Sequence, residues 1–121
     1  MEQWVSLVTL EVNDLPRAGA PPILRNMAAG LGTDVMVEQL RAIQKRSDQK
    51  SILRKCRVPA ALICGELDPR VQPKRHEFMA TLIHCATLLV IPNVGHSLTL
   101  EQPEMINAAL REWLVQPMAL R

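Results

Sequence analysis

The spacing of apolar residues changes several times along the chain, and each change marks an element. Residues 1–22 begin with WVSLVTLEV, which has partial β character, and run into NDLPRAGAPP, where Pro16, Gly19, Pro21 and Pro22 interrupt any regular element. This reads as an irregular lead-in. From Ile23 the period becomes helical: Leu24, Met27, Ala28 and Leu31 recur at three- and four-residue spacing until Gly30 and Gly32 stop the run. Thr33 and Asp34 then offer N-cap oxygens, and Val35, Met36, Leu40 and Ile43 continue one face as far as Arg46. A third short helix is expected from about Gln49 to Lys55. Residues 23–57 thus form a purely helical segment.

Residues 58–121 alternate in type. AALICG, Ala60 to Gly65, is a continuous apolar run between Pro59 and a glycine, the pattern of a strand buried on both faces. ELDPRVQP is a loop, and PKRHEFMATLIH is an amphipathic helix with Phe78, Met79, Leu82 and Ile83 on one side. TLLVIP, from Thr87, is the second buried strand. EQPEMINAALREWL closes the pattern as a helix, with Pro103 tolerated in its first turn and an inward stripe of Ile106, Ala109, Leu110, Trp113 and Leu114. Strand, helix, strand, helix is a βαβα unit, so the expected class is α/β with two parallel strands and flanking helices.

Composition narrows the function more than it identifies it. A chain of 121 residues is one domain's worth of protein or part of a larger one. Its 48% hydrophobic and 21% charged residues are ordinary globular composition. Net charge is +2, the basic residues are scattered, and 2% aromatics leave no platform for stacked bases, so nucleic acid is not an expected partner. Cys56, Cys64 and Cys85 are an odd set without C-x-x-C spacing, read as reduced thiols of a cytoplasmic protein. Glu2 stands where a signal peptide carries basic charge, and no apolar run approaches the ~20 residues of a membrane span, so no membrane is expected.

Candidate chemistry lies past the strand ends, where open parallel sheets carry their reactive groups. Asp68 follows the first strand and His96, in PNVGHSLTLEQPE, follows the second. Adjacent parallel strands lie about 4.8 Å apart, so the two loops are able to bring carboxylate and imidazole into contact. A carboxylate so placed holds the imidazole in one tautomer while the free ring nitrogen takes a proton from a nucleophile. The same spacing is equally compatible with an exposed turn aspartate and a solvated loop histidine.

Two longer stretches carry a resemblance. CRVPAALICGELDPRVQP resembles the acid-bearing strand and loop of the α/β-hydrolase superfamily, and LLVIPNVGHSLTLEQPEMINAALREWL resembles its histidine loop and final helix. The order of acid then histidine is also the family's order after its serine. The resemblance, over about residues 23 to 115, implies that Asp68 is a triad acid and His96 the triad base. It implies a partial α/β-hydrolase fold, with no cofactor and no metal. The upstream ILRNMAAGLGTDVMVEQLRAIQKRSD resembles the end of the lid that many of these enzymes insert before the acid strand. Met27, Met36, Val37 and Leu40 would there line an acyl or aryl pocket, or simply pack.

The departures matter as much. The sequence has no G-x-S-x-G and no H-G-type oxyanion loop. Its serines are Ser6, Ser47, Ser51 and Ser97; Ser97 forms G-H-S, but Thr99 stands where the closing glycine of an elbow belongs. HEFMA at His76 has Ala80 in place of the second histidine of a zinc-protease helix. His76, His84 and Cys85 share one region without a fourth ligand. Two expectations result. One is a C-terminal part of a serine-type hydrolase, inactive alone and acting on ester-like substrates only with a complementing nucleophile-bearing half. The other is a non-catalytic module derived from such an enzyme that binds a partner or a second copy through its open sheet edge and apolar helix faces.

Overall fold

The structure, a computed structural model, describes residues 20–117. The lead-in at residues 1–19 and the last four residues lie outside the described part. The chain divides into two compact units between Asp48 and Gln49.

The first unit contains α1 (Ala20–Leu31) and α2 (Thr33–Gln44). Pro21 and Pro22 do not interrupt α1 as expected; they fall in its first turn, where a missing N–H removes no helical hydrogen bond. The helix also passes through Gly30 and breaks only at Gly32, whose φ of 80° makes the turn. Because Gly32 is itself the residue before α2, Thr33 is already helical and neither it nor Asp34 caps the helix with its side chain. Leu24 and Ala28 on α1 and Met36 on α2 are buried, whereas Met27 and Val37 are exposed.

The second unit runs α3 (Lys50–Leu53), β1 (Ala60–Gly65), α4 (Pro73–Leu82), β2 (Ala86–Ile91), α5 (Leu98–Glu101) and α6 (Pro103–Leu114). β1 and β2 pair in parallel, in register from Ala60 opposite Ala86 to Gly65 opposite Ile91. The architecture is α/β, an open sheet of two parallel strands with flanking helices, as the patterning predicts. α4 packs on both strands and α6 on β1. The Trp113 indole N–H donates to Pro59 O at 3.0 Å, tying the end of α6 to the chain just before β1. Ile91, Val94 and Ile106 form the core, with Ile63 and Leu98 against it.

The closing helix forms as expected, with Pro103 in its first turn. The short α5 before it is not indicated by the patterning: Gln102 precedes proline, which disfavours helical geometry, and at φ −141° and ψ 62° it separates α5 from α6. Two expectations about this unit are corrected. The strands are not buried on both faces. β1 is fully buried only at Cys64 and Gly65, and Thr87 and Leu89 of β2 are exposed. The inward stripe of α6 is buried only at Ile106, with Leu114 70% exposed, and Phe78 of α4 is 51% exposed. The cause is common to the strands and helices: two strands offer too little surface, and the described residues provide no second layer over these side chains. Among the described residues no helix is long and apolar enough to cross a membrane.

Candidate active site

The site is built where β1 and β2 end together. Past Gly65 the ladder continues through Glu66 N–H to Ile91 O at 2.9 Å and Leu67 N–H to Val94 O at 2.9 Å, so the acid loop and the histidine loop leave the sheet as a bonded pair. Their approach depends on Gly65. A Cβ there would strike the carbonyl oxygens of Val94 and Gly95 and lie 2.8 Å from the Val94 carbonyl carbon.

Asp68 sits in a tight turn, its N–H directed to Gly65 O at 3.3 Å. Its Oδ1 accepts from the backbone N–H groups of Arg70 (2.8 Å) and Val71 (3.1 Å), the aspartate turn that fixes this carboxylate in one rotamer. Oδ2 is thereby aimed at the neighbouring loop, 2.8 Å from His96 Nδ1. The Asp68 side chain is 6% exposed and that of His96 38%, so the imidazole bridges from a buried acid toward solvent.

The histidine loop is held from several sides. Asn93 turns it with φ 56° and donates its N–H to Glu66 Oε2 at 3.0 Å. Val94 is buried beneath it. Glu101 reaches back from α5: its Oε2 accepts from Gly95 N–H at 2.7 Å and its Oε1 from Ser97 N–H at 2.9 Å, the two residues on either side of His96.

Burial pushes the Asp68 carboxyl upward, but hydrogen bonds from His96, Val71 and Arg70 and the charge of His96 outweigh it, leaving the carboxyl below its ordinary value. Asp68 is therefore ionised at neutral pH. An ionised carboxylate only accepts, so Nδ1 carries the proton and Nε2 is the nitrogen free to take one. The geometry is consistent with an acid and base pair. Cys64, buried at the end of β1, is no thiolate nucleophile for it: burial raises its thiol, and the charges of Asp68 and Glu77 raise it further. Among the described residues no group of three or more His, Cys, Asp or Glu is arranged to hold a metal, and His76, His84 and Cys85 form none.

The structure thus brings together the two residues singled out from spacing. It also reveals three supports that spacing and resemblance did not indicate: Glu101, the Glu66 to Asn93 bond, and the close approach at Gly65. One signal for them exists in the sequence. Ser97 followed by Glu101 at a helix start is a near relative of the capping box, in which an acidic side chain returns to the N-cap amide.

No protein-family model matches the chain. No curated protein matches it either. Solved structures do. A thermophilic esterase from Thermogutta terrifontis is 36% identical, covering 58% of this chain and 26% of that one, with a TM-score of 0.56. The carboxylesterase CesB from Bacillus subtilis is 23% identical over 97% of this chain and 41% of its own, with a TM-score of 0.69. An α/β hydrolase from a sediment metagenome of the Mar Chica lagoon, Morocco, is 24% identical over 81% of this chain and 44% of its own, with a TM-score of 0.59. The chain spans less than half the length of each of these proteins.

Proposed function

From α/β-hydrolase superfamily homology over a partial fold, we propose that residues 58–121 are the acid- and base-bearing part of a serine-type hydrolase acting on ester-like carbonyl substrates. Residues 23–57 are its lid-type helices. The single observation that carries the reading is the 2.8 Å contact between Asp68 Oδ2 and His96 Nδ1 at the shared end of two parallel strands. The esterase names of two of the structural neighbours support the substrate class.

In this reading a serine outside these 121 residues attacks the carbonyl. His96 Nε2 takes the hydroxyl proton and returns it to the leaving group, and Asp68 stabilises the imidazolium that forms between the two events. Such base catalysis contributes about 10²- to 10⁴-fold. Water then repeats the sequence on the acyl intermediate. The nucleophile and the oxyanion donors come from a complementing segment, because the sequence has no G-x-S-x-G.

The test is an assay of the purified chain on activated aryl esters, with a fluorophosphonate probe for a reactive serine. The expected result is neither turnover nor labelling; robust turnover abolished by the probe sinks the proposal of a nucleophile outside the chain. The DNA upstream of the coding region supplies the positive arm, since a G-x-S-x-G codon run after a β-type stretch is expected there.

A second reading, a non-catalytic association module, is favoured by the exposure of Leu89, Leu110, Trp113 and Leu114. It requires self-association or partner binding. A sharply monomeric, cooperatively unfolding species in sedimentation and thermal melts contradicts it.

A further inference from the structure

We infer that Glu101 is a positioning residue for His96, clamping the histidine loop so that the imidazole stays on Asp68. The role deepens the function proposed for His96, yet its test reads the Asp68 to His96 contact directly and needs no nucleophile, so either reading is able to fail without the other.

Three observations converge. First, one carboxylate takes both amides that flank the histidine, Gly95 N–H on Oε2 at 2.7 Å and Ser97 N–H on Oε1 at 2.9 Å. Hydrogen bonds to an ionised acceptor are roughly twice as strong as neutral ones. Pinning the nitrogens before and after His96 to one planar group restricts the few torsions that aim its Cα–Cβ bond. Second, Ser97, the residue before α5, makes no side-chain cap. Its own N–H is instead taken by Glu101 Oε1, so the start of α5 is tied from the helix end back toward the histidine. Third, the target of the aiming is narrow: Asp68 is itself locked by Arg70 and Val71 N–H, so it does not follow a histidine that moves. A ring displaced by about 1 Å loses a hydrogen bond whose useful range is a few tenths of an ångström.

A purely structural Glu101 would stabilise α5 and leave the His96 contact untouched. The two roles separate by nuclear magnetic resonance on the full chain, labelled with ¹⁵N-histidine. The Nδ1 proton bonded to Asp68 is a low-field signal, assigned by its absence in His96→Gln. In Glu101→Ala its exchange with water is expected to accelerate about tenfold or more, the factor that loss of one hydrogen bond to a charged group carries, while circular dichroism retains the helices and strands. Glu101→Gln keeps one carbonyl oxygen able to accept one of the two amides, so it is expected to restore part of the protection. Unchanged exchange in a folded Glu101→Ala overturns the inference. Where Glu101→Ala melts the domain, Glu101→Gln decides: faster exchange with an intact fold supports the clamp, and wild-type exchange refutes it.

Discussion

Gly65→Ala is the sharpest perturbation the fold offers, because it adds one methyl group where the loops carrying Asp68 and His96 meet. The new Cβ would collide with the carbonyl oxygens of Val94 and Gly95 and approach the Val94 carbonyl carbon to 2.8 Å. All three are backbone atoms, so no side chain is able to rotate away; the strand end or residues 94–95 must shift by several tenths of an ångström. Overpacking of this kind costs about 1–3 kcal/mol. Displacing Val94 O also weakens the Leu67 N–H bond it accepts at 2.9 Å, about 1 kcal/mol more. Against this, alanine lowers the entropy of the unfolded chain and returns about 0.4–1 kcal/mol. The net loss is about 1–3.5 kcal/mol, a large fraction of the roughly 5–15 kcal/mol that holds a domain together. For a domain of about 60–100 residues each kcal/mol shifts the melting temperature by about 4–8 °C, so the expected fall is on the order of 4–28 °C. Urea titrations followed by circular dichroism measure it, with an unchanged m-value as the sign that the unfolded state is not the cause. Gly30→Ala is the control of opposite sign: nothing lies within 4 Å of its Cβ position, and alanine in a helix gains about 0.5–1 kcal/mol. A Gly65→Ala variant within about 0.5 kcal/mol of wild type, the spread of an ordinary surface substitution, refutes the close-approach argument.

Acid stability and thiol reactivity test the site from other directions. The Asp68 carboxyl lies below its ordinary value when folded and returns to about 3.9 when unfolded, so its stabilising contribution is complete above the unfolded value and is lost as pH falls through the folded one. Urea midpoints of wild type are therefore expected to drop below about pH 4 more steeply than those of Asp68→Asn, and parallel curves count against the buried, hydrogen-bonded carboxylate. Cys64 is buried with a raised thiol while Cys85 is exposed, so Ellman's reagent at about pH 8 should modify Cys85 first and reach Cys64 only on unfolding. Prompt modification of all three thiols in the folded chain would show that the end of β1 is open.

Local patterning was enough for the elements that carry the site. AALICG is a strand over the six residues that the bounding proline and glycine mark out, and Asp68 and His96 fall in the loops after the two strands. These properties are written in short stretches of chain: an apolar run between breakers permits little else. What tertiary structure alone decided is non-local. The contact of Asp68 with His96 depends on the register that sets Gly65 opposite Ile91, and no residue within either loop encodes it. The clamp by Glu101 and the need for a missing side chain at Gly65 arise from atoms that meet only after the strands pair. The stripe on α6 shows the limit from the other side. Its periodicity states which residues a helix is ready to bury, and whether anything covers Leu110, Trp113 and Leu114 depends on how many layers the chain supplies.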